Sequence, residues 1–71
     1  MAKIEDGELN RTQGRIMDYL RKELADGAKY ISYTVIGAKV LRSRNTVKYA
    51  VNRLIKMGML EINDGKLSLV E

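Results

Sequence analysis

The sequence predicts a mainly helical α+β domain, three helices closed by a C-terminal two-stranded β-hairpin. Three observations predict it. Two segments place apolar residues at helical spacing, Ile16, Met17, Leu20 and Leu24 in one and Val47, Ala50, Val51 and Leu54 in the other. Asn63-Asp64-Gly65-Lys66 stands between two short alternating runs, and an Asp-Gly pair there is a strong hairpin signal. With 71 residues the chain has room for one small core.

Residues 1–9 are acidic and lack periodicity, which predicts a weakly ordered arm ahead of a single domain over residues 10–71. Asn10 is placed to cap a first helix, with Gln13 three residues on to complete a capping box. That helix is expected over 11–25, with Gly14 weakening its first turn and Gly27 at the stop position. Lys29-Tyr30-Ile31 reads as a short extended stretch and a candidate third strand. Ser32 then caps a second helix over 33–41. Its Val, Ile, Thr and Gly residues are poor helix formers, so propensity alone suggests a strand, but the capped helix and hairpin downstream of them argue for a helix. Gly37 would let another backbone approach closely.

Ser43 caps the third helix, expected over 44–56, with Gly58 as its stop. In the hairpin, a two-residue turn pairs Ile62 with Leu67, Glu61 with Ser68 and Leu60 with Leu69. Leu60, Ile62, Leu67 and Leu69 would then face the core, and Glu61 and Ser68 the water. Met17, Met57 and Met59 read as core filler.

The net charge of +4 is unevenly spread. Residues 27–60 hold Lys29, Lys39, Arg42, Arg44, Lys48, Arg53 and Lys56 and no acid, so all 9 acidic residues lie outside that block. A one-sided positive field of this kind suits polyphosphate. The chain has no histidine and no cysteine, which removes the commonest general base, the commonest zinc ligand and any disulfide. No enzyme activity, cofactor or metal is therefore expected. No apolar run is long enough for a membrane span, and residues 1–6 lack the apolar core of a signal peptide, so a cytoplasmic setting is expected, nucleoid-associated if the polyphosphate is DNA.

Ser43-Arg44-Asn45-Thr46-Val47, then Leu54, then Met57-Gly58-Met59-Leu60 carry a resemblance. Over about 30 residues, from Ile31 to Leu60, the chain resembles the winged helix-turn-helix family of transcription regulators, the DNA-binding heads of GntR-like repressors in particular. The family form is a Ser-Arg-x-Thr-Val start, a leucine seven residues after the valine, and a Gly-x-Leu exit into the wing. It implies a double-stranded DNA partner, a third helix in the major groove, and a prokaryotic or phage repressor; so small a core must be well packed or dimeric, and a homodimer would bind a palindromic site. Left-handed DNA binders of this fold share a Lys…Asn…Tyr set on that helix and a proline in the wing. This chain has Lys48 and Asn52 at the second and third positions and no proline.

The resemblance departs at Leu41-Arg42, where the family has a Gly-Val pair. A glycine there permits positive φ, whereas leucine loses roughly 1 kcal/mol or more in that conformation. Either the turn takes another shape or it is strained, and Arg42 stands where a half-buried residue is usual.

With the apolar stripe turned inward, Arg44, Asn45, Lys48, Tyr49 and Asn52 are the candidate base contacts. Arginine and lysine pair with guanine acceptors, and asparagine pairs with adenine. Tyr33, Arg42, Ser43, Thr46, Arg53 and Lys56 are candidate phosphate contacts. Lys66 is the candidate wing contact. Each has a plainer reading. Ser43 is a cap in any case, Asn52 a solvated helix residue, and Lys66 a solubilising charge. Tyr49 would pack against the second helix. Arg53 would lie along apolar surface or pair with an N-terminal acid. Two other roles compete with a repressor, a replication, recombination or architectural DNA binder and a protein–protein interaction module.

Overall fold

A computed structural model describes residues 10–70, in the order α1 (Arg11–Glu23), α2 (Tyr33–Val40), α3 (Arg44–Lys56), β1 (Leu60–Asn63) and β2 (Lys66–Leu69). The arm expected over residues 1–9 lies outside the described residues. The three helices pack on one another and on the hairpin around Ile16, Leu20, Ile36, Val47, Val51, Leu54, Leu60 and Leu67, each at most 1% exposed. The methionines behave as filler, with Met17 buried and Met57 and Met59 half-buried against the core.

Each helix starts on the expected cap. Asn10 Oδ1 accepts from the Gln13 N–H at 2.8 Å, and Gln13 Oε1 accepts from the Asn10 N–H at 3.1 Å, completing the capping box. Ser32 Oγ accepts from the Val35 N–H at 3.1 Å. This cap and the burial of Ile36, Gly37 and Val40 make α2 a helix against its β-rich composition. Val35, on the other side of α2, is exposed.

The helix ends differ from the expected bounds for physical reasons. α1 stops at Glu23, two residues early, and the Gly27 N–H turns back to the Leu24 carbonyl at 3.0 Å. α2 stops at Val40, one residue early, because Leu41 takes the left-handed conformation, φ 60 and ψ 48. The Arg42 N–H then reaches the Gly37 carbonyl at 2.9 Å, a Schellman-type closure with leucine in the seat that glycine usually fills. Of the two alternatives left open at this turn, the structure takes the strained one. α3 ends in the ordinary version, with Gly58 at φ 81, its N–H on the Ile55 carbonyl and the Met59 N–H on the Leu54 carbonyl.

The hairpin has the expected register, Leu60↔Leu69, Glu61↔Ser68 and Ile62↔Leu67, extended by Asn63↔Lys66. Positive φ at both Asp64 and Gly65 marks a type I′ turn. The candidate third strand contracts to one bridge, in which Lys29 and Leu67 exchange backbone hydrogen bonds at 3.0 and 2.9 Å. That bridge makes β2 the flanked strand and β1 the outer one. Leu67 is consequently buried, while Ile62, expected to face the core, is 46% exposed. Its side chain borders a groove instead of filling the interior.

Candidate nucleic-acid interface

α3 buries Val47, Ala50, Val51 and Leu54, so at 100° per residue the opposite side is centred on Asn45, Tyr49, Asn52 and Lys56. All four are exposed, Tyr49 at 74%. Arg44 and Lys48 lie on the flank toward the wing and are exposed as well. Thr46 and Arg53 lie on the flank toward α1. Among the described residues, no carboxylate forms an ion pair with Arg44, Lys48, Arg53 or Lys56. The N-terminal end of α3 is closed by Ser43, whose Oγ accepts from the Thr46 N–H at 3.2 Å and donates to Thr46 Oγ1 at 2.9 Å.

Two grooves flank this face. One runs between the start of α3 and the hairpin, lined by Ser32, Tyr33, Arg44, Ile62 and Gly65 among others. Here the half-buried Tyr33 and the exposed Arg44 come together beside the wing. The other runs between α3 and the start of α1, where Tyr49 and Arg53 face Asn10, Thr12 and Gln13. The expected packing of Tyr49 against the second helix is thus corrected. Its position on α3 turns it to the α1 side and outward, and it leaves most of its ring in solvent.

Arg42 is half-buried and reaches α1, its Nε donating to Thr12 Oγ1 at 3.3 Å and its Nη1 to the Leu41 carbonyl at 3.0 Å. Lys66 is at the wing turn, its Nζ 5.3 Å from the centre of the Tyr30 ring. Not all of the basic block gathers here. Lys39 lies in a groove between α1 and α2, beside Arg15 and Asp18. Sequence reasoning passed over Thr12 and Tyr30, because each meets its partner only through packing between distant segments.

Among the described residues, no group of three or more His, Cys, Asp or Glu is placed to hold a metal ion. No helix among them is long and apolar enough to cross a membrane.

A helix whose outward side is polar and cationic, preceded by a tight turn and flanked by a β-hairpin, is the architecture of a winged helix-turn-helix DNA-binding domain. A family model described as winged helix-turn-helix DNA-binding matches residues 9–61. The chain belongs to that family, and the match spans all three helices and the first residues of β1. No curated protein and no solved structure matches the chain.

Proposed function

We propose that the protein is a sequence-specific transcription regulator, a repressor that inserts α3 into the major groove of double-stranded DNA. The observation that carries this reading is the outward face of α3, where exposed cations and amides stand free of carboxylates among the described residues. An α-helix fits the major groove, and these side chains suit its donor and acceptor pattern. In this reading Arg44, Asn45, Lys48, Tyr49 and Asn52 meet base edges. Tyr33, Ser43, Thr46, Arg53 and Lys56 hold phosphates on the two sides, and Arg42 does so beside Thr12. One strand of the duplex crosses the groove between Arg44 and the wing, bringing Lys66 to the next phosphates.

The Ser-Arg-x-Thr-Val start and the Gly-x-Leu exit support a GntR-like head within the family. The protein is read as a single domain over residues 10–71 in a cytoplasmic, nucleoid-associated setting. A homodimer would place two α3 helices about 34 Å apart on a palindromic site.

The test is a fluorescence anisotropy titration of random-sequence and selected duplexes at several salt concentrations. A regulator loses affinity steeply with salt and binds selected sites at least ~10³-fold more tightly than random ones. Salt-dependent binding without selectivity would point to a replication, recombination or architectural role. Absence of binding at low salt would leave a protein–protein module.

A further inference from the structure

Tyr30 is 70% exposed, yet it is held in place on three counts. Its neighbour Lys29 is bonded in both directions to the backbone of Leu67, the residue after Lys66. Its ring lies against the wing turn, since a Cβ added to Gly65 would stand 3.2 Å from Tyr30 Cε1 and 3.5 Å from Cδ1. The Lys66 ammonium sits 5.3 Å from the centre of that ring, within reach of a cation–π attraction. Gly65 suits this place through its φ of +82, and a Cβ added there would make the ring give by a few tenths of an ångström.

We propose that Tyr30 is a positioning residue for DNA binding, a platform that holds the Lys66 ammonium at the wing tip for a backbone phosphate. The inference rests on the reading of α3 as the major-groove helix. A lysine on a free four-carbon stem loses rotamer entropy when it meets a phosphate. The ring takes up part of that ordering beforehand. It engages one side of an ammonium that has three N–H donors, leaving others for the phosphate oxygens. Gly65 also borders the groove shared with Tyr33 and Arg44, which puts the wing tip on the side where the duplex would lie. Lys66 therefore acts as part of a three-part unit of bridge, ring and turn.

The test compares the full chain with its Tyr30→Phe, Tyr30→Ala, Lys66→Ala and doubly substituted variants, binding a random-sequence duplex across a salt series. Lys66→Ala should lower the slope of log affinity against log salt by about 1. Tyr30→Ala should weaken binding by about 2- to 5-fold and move the slope toward that of Lys66→Ala. Tyr30→Phe should match the unsubstituted chain, and Tyr30→Ala should add nothing once Lys66 is gone. Equal effects of Tyr30→Ala with and without Lys66 would overturn the proposal, as would a Tyr30→Phe loss as large as that of Tyr30→Ala. Proton spectra of the free proteins supply an independent readout. The Lys66 side-chain methylenes should be shifted upfield by the ring, and released in Tyr30→Ala while the core amide resonances stay in place. If the shift is present but the unsubstituted chain binds no duplex, the DNA reading fails and the ring–ammonium contact stands. If the shift is absent while the chain binds DNA, the platform fails and the DNA reading stands.

Discussion

Gly37 and the Arg42 carbonyl are in such close approach that a Cβ built on Gly37 would stand 2.5 Å from that oxygen. The contact closes the turn between α2 and α3, and the Gly37 carbonyl accepts the Arg42 N–H at 2.9 Å in return. This turn sets the angle at which α3 leaves the body of the protein. Gly37→Ala gains about 1 kcal/mol in helix propensity but meets an overpacking penalty of about 1–3 kcal/mol. The backbone oxygen has little freedom to move away, so the penalty wins. Urea unfolding followed by circular dichroism should give a lower midpoint for Gly37→Ala. A midpoint at or above that of the unsubstituted chain would show that the turn can open without cost.

Leu41 offers the opposite case. It holds φ 60 with its side chain 75% exposed, so the strain is not compensated by burial. The left-handed conformation costs a non-glycine residue roughly 1–2 kcal/mol, and the freer unfolded chain of a glycine variant offsets about 0.4–1 kcal/mol of the relief. Leu41→Gly should therefore raise stability by up to about 1 kcal/mol, and Tm by several degrees, since about 1 kcal/mol moves a domain of this size by roughly 4–8 °C. A fall in Tm would mean that the leucine side chain makes a favourable contact worth more than the strain.

Tyr19 links stability to alkaline pH. Burial against the core raises its pKa above the ordinary 10.0, and the charge of Glu23 adds to the shift. The folded state therefore holds the phenolic proton more tightly than the unfolded chain does. That contribution is fully present below pH 10 and is lost as pH rises through the raised value. The unfolding free energy of Tyr19→Phe should fall less between pH 9 and 11 than that of the unsubstituted chain, a window set by the reference value of about 10 for tyrosine. Parallel declines for the two proteins would show that Tyr19 titrates alike in both states.

What was legible in the sequence is what local chemistry decides. Asn10, Ser32 and Ser43 cap their helices through bonds that span three residues, and Asp64-Gly65 sets the hairpin register through its own φ values. The outward face of α3 is dictated by the spacing of four buried residues. Ile62 was misread because alternation specifies a face of the sheet but does not say which strand is flanked. That depended on the Lys29–Leu67 bridge, a pairing between distant segments. Thr12 with Arg42 and Tyr30 with Lys66 were illegible for the same reason. Leu41 stayed open because a single residue's φ depends on the turn it must close.

The α3 face divides into residues expected to read sequence and residues expected to hold the backbone, and the two should fail differently. Lys48→Ala and Asn52→Ala should each weaken binding to a selected site by roughly 1–3 kcal/mol and relax selectivity at the base pair involved. Both positions are exposed, so neither change should disturb the core, and melting curves should coincide with that of the unsubstituted chain. Arg53→Ala, on the α1 flank, should weaken selected and random duplexes alike and lower the salt slope by about 1. Binding to selected duplexes separates the two patterns. If Lys48→Ala and Asn52→Ala leave affinity unchanged while Arg53→Ala reduces it, the duplex lies along the α1 groove beside Tyr49, and the base contacts assigned to the centre of α3 are wrong. If all three leave it unchanged, the interface is elsewhere on the molecule.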